Sequence, residues 1–219
     1  MKIKAVIFDL DGTLLNTIKD IADSANFTLK KFGYPTHPAD SYRYFVGNGV
    51  DNLIKVILPE EARSPETMLS FKKIYLERYG THSMETTRPY DGVPEMIAEL
   101  KNMRLKLAVA SNKPDAATKS TISDTFAEET FNVVLGGRSD VPLKPDPTIV
   151  HNILGEFGVP PAEALFVGDT SVDLETAKNA GCPSVGVLWG FRPEEAANSG
   201  ADFVIAHPFE LTELIRRAL

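Results

Sequence analysis

Two acidic residues follow a short apolar run near the N-terminus, in the stretch AVIFDLDGTL that spans residues 5–14. The apolar residues predict a buried strand, and Asp9 and Asp11 come at its end, followed by the turn-forming Gly12. Two carboxylates held together away from water are unfavourable unless a cation or protons compensate. A carboxylate can attack phosphorus to form an acyl phosphate, and a second acid can give and take protons. The spacing therefore predicts two acids with different roles, one in attack on phosphorus and one in proton transfer.

Polar residues also follow the other predicted strands. They are Ser111, Asn112 and Lys113 after LKLAVA, Lys144 ahead of a helix, and Gly168, Asp169, Thr170 and Asp173 after ALFV. In an open sheet of adjacent parallel strands, such groups meet at the carboxyl ends of the strands. We therefore expect one pocket with several carboxylates, one or two lysines, a hydroxyl group and loop amides.

The residue types in this pocket favour a magnesium ion and a phosphoryl group. Mg²⁺ prefers oxygen ligands and keeps several waters, so few protein carboxylates suffice. The four strand-end loops contain neither Cys nor His, which argues against zinc. A cation beside a lysine, a hydroxyl group and helix N-termini is a common way to hold phosphate in proteins.

Six short apolar runs predict the strands that position these residues. The runs cover residues 4–9, 105–110, 131–135, 164–168, 183–187 and 202–205. Apolar residues at helical spacing lie between the runs, as in Met96, Ile97 and Leu100. Trp189 and Phe191 follow the fifth run and are predicted to serve in packing. The alternation predicts an α/β fold with a doubly wound, Rossmann-like parallel sheet.

One long stretch breaks this alternation. Between the first predicted strand and Arg88 the sequence has helical periodicity and no convincing strand, whereas a strand-to-helix connection needs far fewer residues. We therefore predict an inserted all-helical domain over residues 15–85, with residues 1–14 and 86–219 forming the sheet domain. One helix face of the insertion consists of Ile18, Ile21, Ala22, Ala25, Leu29 and Phe32.

The composition of the 219-residue chain narrows the possible partners. Lys and Arg total 23 against 30 Asp and Glu, a formal net charge of −7, so nucleic acid is not expected as a partner. No apolar segment approaches the length of a membrane span, and the N-terminal run is too short for a signal peptide. The one cysteine, Cys182, excludes an intrachain disulfide. We expect a cytoplasmic protein without a membrane partner, either a monomer or a homodimer.

The four strand-end groups, taken in order, resemble the four motifs of the haloacid dehalogenase superfamily over nearly the whole chain. The matches are Asp9-Leu-Asp11-Gly12-Thr13 for the first motif, Ser111 for the second, Lys144 for the third, and Gly168-Asp169 with Asp173 for the fourth. The predicted insertion resembles the small α-helical cap of that superfamily.

The resemblance implies a role for each acid. Asp9 would be the nucleophile and a metal ligand, and Asp11 the general acid and base, with its backbone carbonyl on the metal. Asp169 would be the third protein ligand of Mg²⁺. Asp173 would support the groups around the metal or orient Lys144, and Thr170 would lie in the same outer layer of the site. Phosphotransferases of the superfamily have an acid at the position of Asp11 and its dehalogenases lack one. The resemblance therefore implies a Mg²⁺-dependent phosphatase that works through an aspartyl phosphate.

The same resemblance implies which residues surround the phosphoryl group. Ser111 would hydrogen-bond the phosphoryl oxygens, with Thr13 and Asn112 beside it, and Lys144 would offset the negative charge of the nucleophile and the phosphate. A serine in this position can also serve as a helix N-cap, which is compatible with binding phosphate. Lys113 receives no role, and its side chain is expected to face solvent.

Within the superfamily, several stretches resemble the phosphoglycolate phosphatases. They cover residues 88–100, 111–117, 167–181 and 189–195. In the cap, FVGNGVDNLI at residues 45–54 resembles the substrate loop of that family, in which Gly47 and Gly49 would let the backbone approach a small anionic substrate. The resemblance implies 2-phosphoglycolate as the substrate.

Other functions stay open at the level of sequence. Pyrophosphatases and β-phosphoglucomutases have similar caps and motifs, so a pyrophosphatase or a mutase-like phosphotransferase is the nearest alternative. A phospho-receiver signalling module also places acids, a lysine and a hydroxyl group at the ends of a parallel sheet. Receivers are compact single domains, however, and the helical insertion argues against one.

Overall fold

The structure, a computed structural model, describes residues 2–218 and the side chains of residues 2–217. Its strands, in chain order, are β1 (Ala5–Phe8), β2 (Leu15–Asn16), β3 (Arg88–Pro89), β4 (Lys106–Pro114), β5 (Val133–Gly137), β6 (Ala164–Gly168), β7 (Ser184–Val187) and β8 (Phe203–Ile205). The main sheet has the order β5-β4-β1-β6-β7-β8, and every neighbouring pair in it is parallel. The predicted parallel sheet is therefore confirmed.

Helices connect the strands and cover the sheet. They are α1 (Ile18–Lys31), α2 (Tyr42–Phe45), α3 (Gly49–Ile57), α4 (Pro65–His82), α5 (Val93–Asn102), α6 (Asp115–Thr125), α7 (Thr148–Phe157), α8 (Ser171–Ala180), α9 (Pro193–Asn198) and α10 (Phe209–Ala218). Within residues 2–218, no helix combines the length and the apolar character needed to cross a lipid bilayer.

The central strand β1 shows why the sheet needs helices on both faces. Successive side chains of a strand point to opposite faces, and all four residues of β1 are buried. Val6 and Phe8 pack in one apolar core with α5 and α10, whereas Ala5 and Ile7 pack in another with α7 and α8. The doubly wound α/β architecture predicted from the sequence is thus present.

A third apolar core belongs to the helices between β2 and β3. It is formed by side chains of α1 to α4, such as Ile21, Tyr42, Ile54 and Phe71. This separate core supports the predicted division into a sheet domain and an inserted helical cap, although the boundaries at residues 15 and 85 stay a prediction.

Where the chain leaves and re-enters the sheet domain, the structure differs from the expectation that no strand lies there. The two-residue strands β2 and β3 pair antiparallel, with Leu15 opposite Pro89 and Asn16 opposite Arg88. Such short strands have no periodicity that a sequence could reveal. They bring the two connections between helices and sheet side by side.

The second predicted strand is longer than expected, since β4 continues through SNK to Pro114. Its pairing with β5 becomes irregular after Ala110 and resumes between Pro114 and Gly137. Ser111 is consequently a strand residue and not the N-cap of α6, which begins at Asp115. The predicted strand ended at residue 110 because the apolar run stops at that residue. Hydrogen bonding between strand backbones does not require apolar side chains, so β4 continues beyond it.

Candidate active site

The predicted strand-end residues meet in one pocket because β4, β1 and β6 are neighbours in the sheet. Its sheet side is lined by Asp9, Asp11, Ser111, Asn112, Lys113, Lys144, Thr170 and Asp173. Thr13 and Asp169 are buried just behind this lining. The convergence predicted for parallel strands is therefore what the structure shows.

Lys144 is the cation paired with Asp9. Its Nζ donates to Asp9 Oδ1 at 2.8 Å and to Asp173 Oδ1 at 2.7 Å, and its side chain is almost completely buried. Asn112 fixes the backbone of Lys144 from both sides, because Asn112 Oδ1 accepts the Lys144 N–H at 2.8 Å and Nδ2 donates to the Lys144 carbonyl at 2.9 Å. The ammonium is thus placed by the strand that carries Asn112 and not only by its own loop.

Asp169 is fully buried at the end of β6. Its Oδ1 accepts from Thr13 Oγ1 at 3.1 Å and its Oδ2 accepts the Phe191 N–H at 2.8 Å. Gly190 allows this arrangement, since a Cβ at residue 190 would lie 2.2 Å from Asp169 Cβ. The loop after β7 therefore packs its backbone directly against Asp169.

Asp173 has two partners that explain its position four residues after Asp169. Its Oδ2 accepts from Thr170 Oγ1 at 2.8 Å and from the Thr170 N–H at 3.1 Å, which completes a capping box at the start of α8. Its Oδ1 accepts from Lys144. Both carboxylate oxygens are engaged, so Asp173 orients Lys144 as well as capping the helix.

Asp11 is paired with Lys113, which corrects the expectation that Lys113 faces solvent. Lys113 Nζ donates to Asp11 Oδ1 at 2.9 Å, to Asp11 Oδ2 at 3.2 Å and to the Tyr79 hydroxyl at 2.6 Å. Thr17 Oγ1 donates to Asp11 Oδ1 at 2.7 Å. Burial alone would lower the pKa of Lys113, but Asp11 and Tyr79 outweigh it and raise that pKa, so the side chain stays charged. Lys113 lies near the end of β4, and it lines the pocket together with Ser111 and Asn112.

The buried acids fit a hard cation. Asp9, Asp169 and Asp173 each offer a carboxylate oxygen, and these atoms all lie within 4.8 Å of one another. Burial raises the pKa of Asp9 to about 7, with Lys144 acting against this shift and Asp173 and Asp11 adding to it. Burial, Asp173 and Asp9 likewise raise the pKa of Asp169. Three buried carboxylates with one paired lysine have an excess of negative charge, and their oxygen atoms are ligands that Mg²⁺ prefers.

This acidic group differs from the predicted ligand set of Asp9, Asp11 and Asp169. In the described chain it holds Asp173 and leaves out the carboxylate of Asp11, which is turned to Lys113. Both oxygens of Asp173 already accept hydrogen bonds. The backbone carbonyl of Asp11, which is the atom that the resemblance implies, stays a predicted ligand beside the carboxylates of Asp9 and Asp169.

The helical cap closes the other side of the pocket. Its lining there is mostly apolar and comprises Ile21, Val46, Gly47, Gly49, Val50, Leu53, Tyr75, Leu76 and Tyr79. Two donors of the sheet domain reach the predicted substrate loop: Asn112 Nδ2 donates to the Gly47 carbonyl at 2.9 Å, and Arg192 Nη2 to the Val46 carbonyl at 3.4 Å. The loop therefore contacts both the pocket and the sheet domain.

Sequence reasoning missed three residues of the site: Tyr79, Lys113 and Phe191. Lys113 could have been found, because it belongs to the same strand-end group as Ser111 and Asn112, and that group was expected to meet the others in one pocket. Phe191 contributes its backbone N–H to Asp169, which no side-chain pattern reveals. Tyr79 is part of an apolar helix face, and only its contact with Lys113 shows that its hydroxyl faces the pocket.

Known proteins are similar to this chain in sequence, fold and length. The family model of haloacid dehalogenase-like hydrolases matches residues 6–187. A phosphoglycolate phosphatase of Thiobacillus denitrificans is 34% identical over 222 residues, covering 100% of this chain and 98% of the relative. An N-acetylmuramic acid 6-phosphate phosphatase of Pseudomonas aeruginosa is 31% identical, covering 100% and 97%. The crystal structure of a predicted phosphoglycolate phosphatase from Haemophilus somnus has a TM-score of 0.91 at 29% identity, covering 98% of each chain.

Proposed function

The chain belongs to the haloacid dehalogenase-like hydrolase family, and on that premise we propose that it is a Mg²⁺-dependent phosphatase that hydrolyses 2-phosphoglycolate through an aspartyl phosphate. The observation that carries the proposal is the environment of Asp9. One of its oxygens is held by Lys144, whereas within the described residues the other accepts no hydrogen bond and faces the pocket. A buried carboxylate oxygen with no partner is available to attack phosphorus.

Asp9 and three side chains around it would give each chemical step a donor or an acceptor. Asp9 Oδ2 would attack phosphorus as the ester P–O bond breaks, and Asp11 would give a proton to the leaving oxygen. Asp11 would then take a proton from a water that attacks the phosphorus of the acyl phosphate, releasing phosphate and restoring Asp9. Lys144 offsets the charge of the nucleophile in both steps, and the Ser111 hydroxyl, whose oxygen accepts the Lys113 N–H at 3.2 Å, would donate to a phosphoryl oxygen.

A metal ion would be held by the carboxylates of Asp9 and Asp169 and by the Asp11 carbonyl. When bound, Mg²⁺ would offset the negative charge of the phosphoryl oxygens. Thr13 and the Phe191 N–H hold Asp169 ready for this role, and Thr170 and Asp173 keep Lys144 from turning away. The cap, closed against the sheet domain at Gly47, would exclude bulk water during transfer.

The relatives support a phosphatase and leave the substrate to be decided. One is named for phosphoglycolate and another for N-acetylmuramic acid 6-phosphate. We propose that the protein acts on a small phosphorylated metabolite and that it is located in the cytoplasm. Pyrophosphate hydrolysis and phosphoryl transfer between positions of a sugar are the alternatives that an assay must separate.

The test is phosphate release from a panel of 2-phosphoglycolate, pyrophosphate and hexose phosphates, with Mg²⁺ and with EDTA. We expect Mg²⁺-dependent release, fastest from 2-phosphoglycolate. Loss of a hexose 1-phosphate without free phosphate would show a mutase instead. No release from any ester, together with stable acyl phosphate formed from a small phosphodonor, would contradict the phosphatase and favour a receiver.

A further inference from the structure

The proposed mechanism leaves one buried cation of the pocket without a ligand role. This is the ammonium of Lys113, which contacts the Tyr79 hydroxyl of α4 across the boundary between sheet and cap. Both side chains line the pocket, and the side chain of Lys113 is only 5% exposed. A buried lysine that joins the proposed general acid to a cap residue lies where the leaving group of a substrate must lie.

Lys113 and Tyr79 both keep a hydrogen for a ligand. The two contacts from Lys113 Nζ to Asp11, at 2.9 and 3.2 Å, can share one N–H, and a second N–H goes to Tyr79. The Tyr79 hydroxyl accepts from Lys113 and, in the part of the chain that the structure describes, donates to no protein atom. One N–H and one O–H are therefore free beside each other, which is the donor pair that a carboxylate accepts.

Among the described residues that line the pocket, one basic side chain remains available to a second anionic group. Of the residues that line it, Lys144 and Lys113 are the basic ones. Lys144 is already held between Asp9 and Asp173. The cap wall opposite consists largely of apolar side chains such as Val50 and Leu53, and a carboxylate left against them would cost free energy.

Distance places Lys113 next to the reacting ester. A general acid must reach the leaving oxygen at about 2.6–3.2 Å, and Lys113 Nζ is 2.9 Å from Asp11 Oδ1. We infer that Lys113 and Tyr79 form a carboxylate subsite that binds an acid group one carbon away from the ester oxygen. This inference rests on the proposed function, and it assigns Lys113 as the residue that determines specificity for short phosphorylated hydroxy acids.

The subsite also disfavours sugar phosphates. A hexose brings several hydroxyl groups, and the apolar cap wall formed by Ile21, Val50, Leu53 and Leu76 offers them few hydrogen-bond partners. Buried hydroxyl groups without partners lower affinity and rate. The substrate class that fits is a compact phosphomonoester with one further negative charge.

The experiment compares two substrates that differ in the acid group alone, 2-phosphoglycolate and 2-hydroxyethyl phosphate. The measured quantity is the ratio of their kcat/KM values in the wild type, Lys113→Met, Lys113→Arg and Tyr79→Phe, with Lys119→Met as the control because Lys119 is an exposed lysine of α6. We expect Lys113→Met to lower the ratio by about 10- to 100-fold, as charged hydrogen bonds contribute strongly. Lys113→Arg should retain part of the ratio, and Tyr79→Phe should lower it less.

Equal losses on both substrates in Lys113→Met would overturn the inference, because a lysine that only positions Asp11 affects every ester alike. A wild type that does not prefer the acid substrate would overturn it too. If Lys113→Met does not fold, Tyr79→Phe decides, since it keeps the buried ring and removes one donor. Absence of phosphate release from any ester would instead count against the proposed function.

Discussion

At the scale of single residues, the two acids of the first turn differ in the lysine that faces each of them. Asp9 is paired with Lys144 at 2.8 Å and Asp11 with Lys113 at 2.9 Å. The Asp9 pair belongs to the buried acidic group that fits a metal, whereas the Asp11 pair faces the cap through Tyr79. In the proposed mechanism, these different neighbours suit Asp9 to act as the nucleophile and Asp11 as the proton carrier.

The raised pKa of Asp9 leads to a prediction about stability. Burial raises this pKa from 3.8 to about 7 in the metal-free protein. At a pH between these two values, the Asp9 carboxyl keeps its proton in the folded chain and releases it in the unfolded chain. The contribution of Asp9 to the free energy of unfolding therefore falls as the pH rises through this range. We expect Asp9→Asn, which cannot ionise, to gain stability relative to the wild type between about pH 4 and about pH 8 in EDTA.

Urea unfolding of both proteins across this pH range measures the difference. Mg²⁺ should stabilise the wild type more than Asp9→Asn at the upper end of the range, because only the wild type offers a full set of ionised ligands. A difference between the two proteins that does not change with pH would show that Asp9 is ionised at all these values, contrary to the expected shift.

Gly190 gives a second prediction at this scale. A Cβ there would lie 2.2 Å from Asp169 Cβ and 2.5 Å from the Gly12 carbonyl, so Gly190→Ala must displace Asp169 or the loop. We expect a loss of about 1–3 kcal/mol in the free energy of unfolding and of at least about 100-fold in kcat/KM. Gly155→Ala is the matched control: it lies within α7 with open space around it, and we expect a gain of about 0.5–1 kcal/mol.

Urea unfolding and phosphate release measure both variants. Full activity of Gly190→Ala would mean that Asp169 tolerates displacement and is not a metal ligand.

At the scale of elements, Asp20 of α1 ties the helical cap to the chain that returns to the sheet. Its carboxylate accepts four N–H and O–H groups from Thr86 and Thr87, at 2.6–3.0 Å. Burial would raise the pKa of Asp20, but these hydrogen bonds outweigh it and lower the pKa. Its contribution to stability is therefore present above the pKa of the unfolded chain and is lost as the pH falls through the lowered value.

Asp20→Asn should lower the free energy of unfolding by about 1–3 kcal/mol, since an amide cannot accept all of these bonds. Asp23→Asn is the control on the same helix, because Asp23 is exposed and pairs with Lys19, and we expect a change within about 0.5 kcal/mol. Urea unfolding near neutral pH measures both. Equal effects of the two variants would contradict the role assigned to Asp20.

The sequence predicted elements well where apolar periodicity carried the information. The buried strands β1 and β6 and the helices α1, α5 and α7 follow their apolar patterns. The prediction from sequence failed where backbone pairing or a long-range contact determines the structure. The end of β4 has polar side chains, and the paired strands β2 and β3 are each only two residues long. Helix α3 begins within the predicted substrate loop. The carboxylates of the site were predictable because the four strand-end groups follow one another in the same order as the four motifs of the superfamily. The pairing of Lys113 with Tyr79 was not, because it depends on how the cap packs against the sheet domain.

At the scale of the whole molecule, the cap and the sheet domain meet at the loop of residues 46–49. Gly49 has φ +82°, and a Cβ there would lie 2.7 Å from Leu143 Cδ1. Leu143 is exposed and can move aside, but alanine is strained at this left-handed φ. Gly49→Ala should therefore displace the loop from the sheet domain, and we expect kcat/KM to fall by about 100-fold. Gly80→Ala is the control, since Gly80 lies in the cap helix α4 with open space around it.

Steady-state kinetics and urea unfolding of both variants separate closure from folding. We expect Gly49→Ala to remain folded while its activity falls, and Gly80→Ala to keep its activity. Unchanged kcat/KM in Gly49→Ala would show that the contact of this loop with the sheet domain is not needed for turnover.

The measurement that tests the central claim most directly is acid quenching during turnover of 2-phosphoglycolate with Mg²⁺, followed by a search for a phosphorylated residue. We expect an acyl phosphate on Asp9 that hydroxylamine cleaves, present in the wild type and absent from Asp9→Asn, which should also release no phosphate. Phosphate release by Asp9→Asn at the wild-type rate, or a phosphoryl group on another residue, would show that Asp9 is not the nucleophile.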